Sequence, residues 1–361
     1  MAFTEEALLG VSPARREILA SLAAFGAAVA GEELDEVAAP LGRRAEATAL
    51  LRDLRVEEVL AEAQVDDDVL AERYRTNPAW ELTVRHLIVL SGRYETDETR
   101  TAARAKAEAA LARIRAGESF PVVAAEVSEE PGAEGRQGLL EPGREGAWVD
   151  EFWAAANALA VGEVSPVVET QYGFHVLRLE GRDTVPFQEV RRSVAADVAG
   201  MIAPLPSSLA EAPLPEGLRV QAPGEEPAAT FDGGRVEEAA LRDWAATLPP
   251  DRWDAFVAGD ESARAEAAEL AAREVAVRTR ARSAGIDPDP AVATGAREAW
   301  AGTAEGWAGA LGFRPGLGED ALRDGVLAAL GRSGQLAELA RGDVHRSRGL
   351  LERHLETSSG R

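Results

Sequence analysis

The chain has 361 residues, 46% hydrophobic and 28% charged, a globular composition longer than one ordinary domain, so two or three units are expected. Asp and Glu number 62 against 39 Lys and Arg, and the net charge of −23 disfavours nucleic acid and anionic membrane surfaces as partners. The absence of cysteine excludes disulfides, thiolate catalysis and zinc–cysteine clusters, and it fits an extracytoplasmic life.

Lys106 is the only lysine, and the arginine bias reads as the mark of a GC-rich genome. No run is long enough for a transmembrane helix. The stretch "ARREILASLAAFGAAVAGEE" has Arg15 and Arg16, an apolar run from Ile18 to Val29 and a small-x-small Ala28-Val29-Ala30, as a signal peptide would. Glu5, Glu6 and Glu17 cancel its positive charge, so an amphipathic helix with Leu19, Leu22, Ala23 and Gly26 on one face is the preferred reading. An export signal, if the gene encodes one, is expected upstream of Met1.

Residues 1–80 are predicted helical. Ala47, Leu51, Leu54 and Val59 recur at helical spacing, Asp66 to Asp68 can cap and charge a helix start, and Asn77-Pro78 stops that helix. Residues 81–185 mix strand and helix signals. "LTVRHLIVL" (82–90) is a buried strand containing His86. A helix follows with Ala103, Ala107, Ala110, Leu111 and Ile114 on one stripe and Gly117 as its stop. "FPVVAAEVS" makes a short second helix. "EEPGAEGRQGLLEPGREG" is a glycine-rich loop with a brief strand at Gly138 to Leu140, and "WVDEFWAAANAL" is a third helix. "EVSPVVET" and "YGFHVLRLEG" form a hairpin-like strand pair, Pro166 placing the first at a sheet edge. Residues 186–229 include a Pro-rich connector, and residues 230–361 return to amphipathic helix with Trp244, Trp253, Trp300 and Trp307 as core anchors.

A histidine on an apolar strand is ordinarily a buried side chain bonded to a neighbour. Here "RHLIV", the Ala-rich helix ending "RAGESF", the "S-E-E-P" at 128–131 and "GEVSPVVETQYGFH" at 162–175 together resemble the parvulin peptidyl-prolyl isomerases. The resemblance implies an α+β domain, a four-stranded antiparallel sheet wrapped by helices, flanked by N- and C-terminal helical regions. The flanks resemble the multidomain bacterial foldases, periplasmic or surface-attached, that embed such a domain in a helical chaperone body. It implies a catalytic group of His86, His175, Glu130 and Thr170, and a substrate pocket of Leu140, Trp148, Phe152 and Phe174. No cofactor or metal is implied. The expected partners are unfolded or proline-containing polypeptides, with a homodimer through the helical regions as a further expectation.

Three positions depart from the family pattern. The usual Gly-Gly-Asp-Leu-Gly loop here reads Gln137, Gly138, Leu139, Leu140, Glu141; Glu130 stands where Asp or Cys is common; Trp148 replaces a Met. The alternative function is therefore a non-catalytic chaperone that uses a degenerate domain as a peptide-binding module. A preference for phosphorylated Ser-Pro is not expected, since the nearby loop offers only Arg136 and Arg144 among five glutamates. His345 and His354 are expected at the surface of a C-terminal helix.

Overall fold

The computed structural model describes residues 13–92 and 96–358. They form two compact units, one of residues up to 59 together with 199 onward, the other of residues 60–198.

The first unit begins with helices α1 (Pro13–Ala30), α2 (Leu34–Val37) and α3 (Ala39–Glu62). In α1, Leu19, Leu22 and Phe25 are buried. Phe25 meets the ring of Phe313 edge-on, with centroids 5.8 Å apart. This is the amphipathic face expected from the sequence, moved round by Phe25.

The second unit opens with α4 (Asp67–Thr76), capped by Asp66, whose side chain accepts the Val69 N–H at 3.0 Å, and ending at Asn77. Then follow β1 (Trp80–Leu90), α5 (Asp97–Arg115), α6 (Phe120–Val127), the single turn α7 (Ala133–Arg136), α8 (Asp150–Ala158), β2 (Val168–Thr170), β3 (Gly173–Thr184) and α9 (Phe187–Ile202). The buried Tyr74 hydroxyl donates to the Val185 carbonyl at 2.5 Å, tying α4 to the end of β3.

Strand β3 is central, antiparallel to β1 on one side and β2 on the other. The expected four-stranded sheet is thus three strands and an irregular fourth segment. Residues 138–143 run along the free edge of β1, where Leu82 and Gly143 exchange both backbone hydrogen bonds and His86 N–H donates to the Gly138 carbonyl at 2.8 Å. Glycines and prolines in the loop break the regular ladder.

Both faces of this sheet are covered. Leu82, Val84, Leu177 and Leu179 meet Phe152, Trp153 and Ala156 of α8 on one face. On the other, Leu87 and Val176 meet Ala110, Leu111, Phe120 and Val123 of α5 and α6. Burial on both sides explains the near-continuous apolar run in β1.

The rest of the first unit holds a small antiparallel sheet of β4 (Arg219–Val220), β5 (Ala229–Phe231) and β6 (Gly234–Val236), then α10 (Glu238–Ala245), α11 (Pro250–Val257), α12 (Glu261–Ser283), α13 (Pro290–Leu311), α14 (Glu319–Gly331), α15 (Gln335–Arg346) and α16 (Arg348–Ser358). Ala263, Ala267, Ala268, Ala271 and Ala272 of α12 are buried, and side chains this small let neighbouring backbones approach closely. Trp244 and Trp253 are buried, with their indole N–H groups donated to Glu274 and Glu352, whereas Trp300 and Trp307 are half-buried against the same core.

The expectation for the C-terminal histidines is corrected. His354 is 6% exposed, its Nε2 2.8 Å from Glu33, and the half-buried His345 meets Ser21 Oγ at 3.2 Å. Both partners lie more than 300 residues away in sequence, beyond any periodicity argument. No helix among the described residues is long and apolar enough to cross a membrane.

Gly173 starts β3 at φ 145°, where a β-carbon would lie 2.2 Å from the Val89 carbonyl oxygen. Gly173→Ala is expected to destabilise the second unit by about 2 kcal/mol or more, read as a fall in its urea midpoint.

Candidate active site

Strand alternation aims His86 of β1 and His175 of β3 to the α8 face, where each residue is 5% exposed. Phe152 of α8 stands edge-on to both rings, with centroids at 5.5 Å from His86 and 5.4 Å from His175. The two imidazoles meet through their Nδ1 atoms at 3.4 Å.

The outer nitrogens are also engaged. His86 Nε2 lies 2.9 Å from Glu130 Oε2, and His175 Nε2 lies 2.9 Å from the buried Thr170 hydroxyl. The Glu130 carboxylate in turn meets the Arg136 guanidinium at 2.9 Å. These contacts determine the proton positions. A carboxylate can only accept, so His86 carries its proton on Nε2 and leaves Nδ1 as an acceptor. His175 then donates from Nδ1, its bare Nε2 accepts from Thr170 O–H, and the Thr170 oxygen accepts from the Tyr172 N–H at 3.2 Å.

That polarity requires neutral rings, and the surroundings keep them so. Burial pushes the His175 imidazole from the ordinary 6.5 down to about 3, with the neighbouring His86 adding to the shift. Burial also lowers His86, against the opposing pull of the Glu130 hydrogen bond and charge.

Glu130 reaches His86 because its loop follows the free edge of β1. Ser128 Oγ accepts the Ile88 N–H at 3.2 Å, and the Glu129 N–H donates to the Ile88 carbonyl at 2.9 Å. The chain leaves the edge at Glu130 and rejoins it at Gly138.

Leu140 and the half-buried Trp148 pack on the cluster containing Phe152, with the Trp148 and Phe152 rings 5.2 Å apart. The Trp148 indole also lies over Gly143, where a β-carbon would come within 2.6 Å of it. Seven of the eight expected site residues are thereby grouped on one face. Phe174 is not among them: as the neighbour of His175 it points to the opposite face, buried with Val89, Ala103 and Ala107 under Arg104. The period-two rule already forbids adjacent strand residues from sharing a pocket. Arg136 was missed, since nothing in the spacing of a glycine-rich loop shows that it folds back on Glu130. Among the described residues no group of three or more His, Asp or Glu is arranged to hold a metal ion.

The histidine shifts carry a pH dependence. Between pH 6.5 and about 3 the unfolded chain binds a proton at His175 that the folded chain does not. Stability is therefore expected to fall as pH drops through that window, by at most about 1.4 kcal/mol per pH unit from this residue. The direct check is NMR: the His175 ring signals should stay constant from pH 8 to pH 5, and a midpoint near 6.5 would contradict the burial.

Residues 86–181 match the family model for the rotamase, PPIC-type PPIase domain. The foldase protein PrsA of Caldanaerobacter subterraneus subsp. tengcongensis is 32% identical over 147 residues, 40% of this chain and 44% of that protein. The chaperone SurA of Alkalilimnicola ehrlichii is 36% identical over 103 residues, 28% of this chain and 23% of that protein. The crystal structure of the peptidylprolyl isomerase PrsA from Bacillus anthracis aligns with a TM-score of 0.28 at 22% identity, over 41% of this chain and 60% of that one. The chain spans less than half the length of either curated relative. Residues 86–181 are therefore a parvulin-type rotamase domain, carried in a chain whose remainder lies outside the family match.

Proposed function

We propose that the protein is a peptidyl-prolyl cis–trans isomerase that acts as a folding factor on unfolded or exported polypeptides. The observation that carries this reading is the buried, hydrogen-bonded histidine pair floored by Phe152, inside a domain matched to the PPIC-type family.

The reaction needs no nucleophile, metal or cofactor. Amide resonance sets a barrier of about 18–20 kcal/mol to rotation, and the enzyme has only to bind the twisted amide better than either planar form. Twisting removes resonance, and with it part of the amide's charge separation. A largely apolar pocket penalises the polar planar form more than the twisted one. Phe152, Leu140 and Trp148 are assigned to the proline ring. His86 and His175, held neutral and oriented by Thr170 and Glu130, form the polar wall without placing a cation beside the reacting bond.

The second unit would supply the chemistry, and the helical unit would hold clients. The foldase and chaperone names of the relatives support polypeptide clients. The absence of cysteine and the foldase resemblance support a place of action outside the cytoplasm. Self-association through the helical regions is a separate expectation, read by analytical ultracentrifugation.

The test is cis/trans exchange of an Ala-Pro peptide with the full chain. Acceleration is expected, and His86→Ala and Phe152→Leu should each lower it by about tenfold or more with the circular dichroism unchanged. No acceleration by the folded wild type would leave the domain as a peptide-binding module.

A phospho-Ser-Pro peptide should react no faster than its unphosphorylated form. The nearby arginines are committed, Arg136 to Glu130 and Arg144 to Glu81 and Glu189, each at 2.9 Å. A large gain on the phosphopeptide would refute the assignment of these pairs.

A further inference from the structure

The loop bearing Glu130 turns back onto β1 through two consecutive residues in the left-handed region, Gln137 (φ 53°, ψ 36°) and Gly138 (φ 74°). At Gly138 glycine is compulsory, because a β-carbon would lie 2.1 Å from the His86 carbonyl oxygen. Gln137 has a β-carbon, and a side chain held at positive φ persists only where its surroundings enforce it.

The enforcing contact is Arg85. Its Nη1 donates to the Gln137 carbonyl at 2.7 Å and reaches the Arg136 carbonyl at 3.4 Å. Its Nε donates to Glu180 Oε1 at 2.9 Å. Glu180 is the extra residue of a β-bulge, since the register passes from Thr83 opposite Gly181 to Val84 opposite Leu179. Arg85 itself stands opposite Arg178, and without the bulged carboxylate two like charges would face each other across the strands.

We propose that Arg85, anchored by Glu180, is a positioning residue for the rotamase site: it holds the 136–138 turn that brings Glu130 to His86 and Leu140 to the Phe152 pocket. The route is short. Arg136, whose carbonyl Arg85 reaches, sends its guanidinium to Glu130 at 2.9 Å. The Gly138 carbonyl, one residue beyond Gln137, accepts the His86 N–H at 2.8 Å. Both partners of the acid–imidazole contact therefore depend on the same three loop residues. Arg85 acts through the turn, because adjacent residues of a strand point to opposite faces and His86 takes the pocket side.

The proposal rests on the isomerase reading, and its test separates the two. In the full chain, kcat/KM for an Ala-Pro peptide and the imidazole 15N shifts of His86 are measured for wild type, Arg85→Ala, Gln137→Gly and the double variant. Arg85→Ala should lower kcat/KM by about tenfold and move the His86 Nε2 signal away from its carboxylate-bonded position. Gln137→Gly alone should leave both near wild type. Added to Arg85→Ala, it should restore most of the lost activity and the His86 signal, because glycine adopts the turn unaided.

Activity and signal both unchanged in Arg85→Ala would overturn the proposal, as would a double variant no better than Arg85→Ala. Should Arg85→Ala fail to fold, Glu180→Ala removes the acceptor that anchors Arg85, and the same shift of the His86 signal decides. If the wild type shows no isomerase activity, the functional reading fails, while the His86 signal still decides the clamp: moved by Arg85→Ala and restored by Gln137→Gly supports it, unmoved overturns it.

Discussion

Because side chains alternate along a strand, the pairing of β1 with β3 must hold to the residue. With His86 opposite Leu177 and Ile88 opposite His175, both imidazoles emerge on the α8 face at diagonal positions within reach of one another. A slip of one residue would send one ring into the α5 and α6 core and bring Leu87 or Val176 out in its place. Two devices oppose a slip. Gly173 starts β3 where only glycine fits against the Val89 carbonyl, and the bulge at Glu180 sets the far end. The same register that closes the core thus creates the histidine pair.

The second edge of β1 supplies the rest of the site. An exposed strand edge presents unpaired backbone groups, and here residues 128–129 and 138–143 cover them. The intervening chain is too long to follow the edge and bulges outward. Glu130 and Arg136 sit on that excursion, which places a carboxylate at the rim of an apolar pocket without burying it: its side chain is 30% exposed. Burying both imidazoles keeps them neutral, and neutrality in turn lets one hydrogen-bond polarity run from Thr170 to Glu130. The altered loop has Gln137 where the family commonly has glycine, and the Arg85 guanidinium donates to its carbonyl at 2.7 Å.

The helical unit is built on different physics. Its core is rich in alanine, and its polar groups are knitted by arginine–carboxylate pairs. Glu274 is the extreme case, a buried carboxylate that accepts from Trp244, Arg278 and Arg43 and is thereby satisfied. The histidines at 345 and 354 serve the same end, joining the last two helices to Ser21 and Glu33.

Much of this was legible in the residues. Asp66 and Asn77 bound α4 as their side-chain chemistry requires, the alanine stripe of α5 is the face that is buried, apolar density identified β1 and alternation identified β3. His86, His175 and Thr170 could be singled out because the motifs that hold them resemble those of the parvulins; residue type alone gave only buried strand histidines. Phe174 was misplaced only where strand periodicity was not applied to its neighbour. The irregular pairing of residues 138–143 with β1, the Arg136–Glu130 pair, the Arg85 clamp and the burial of His354 were beyond reach. Each joins residues through loop paths or long-range docking that no local propensity encodes. The sequence by itself determined most of the elements and their buried faces, because these follow from periodicity and side-chain type, while the set of site residues rested on the resemblance of its motifs. Only the tertiary structure decided which imidazole nitrogen faces which partner, how a non-glycine turn is held, and that the two ends of the chain share one helical unit, because those depend on distances between residues far apart in sequence.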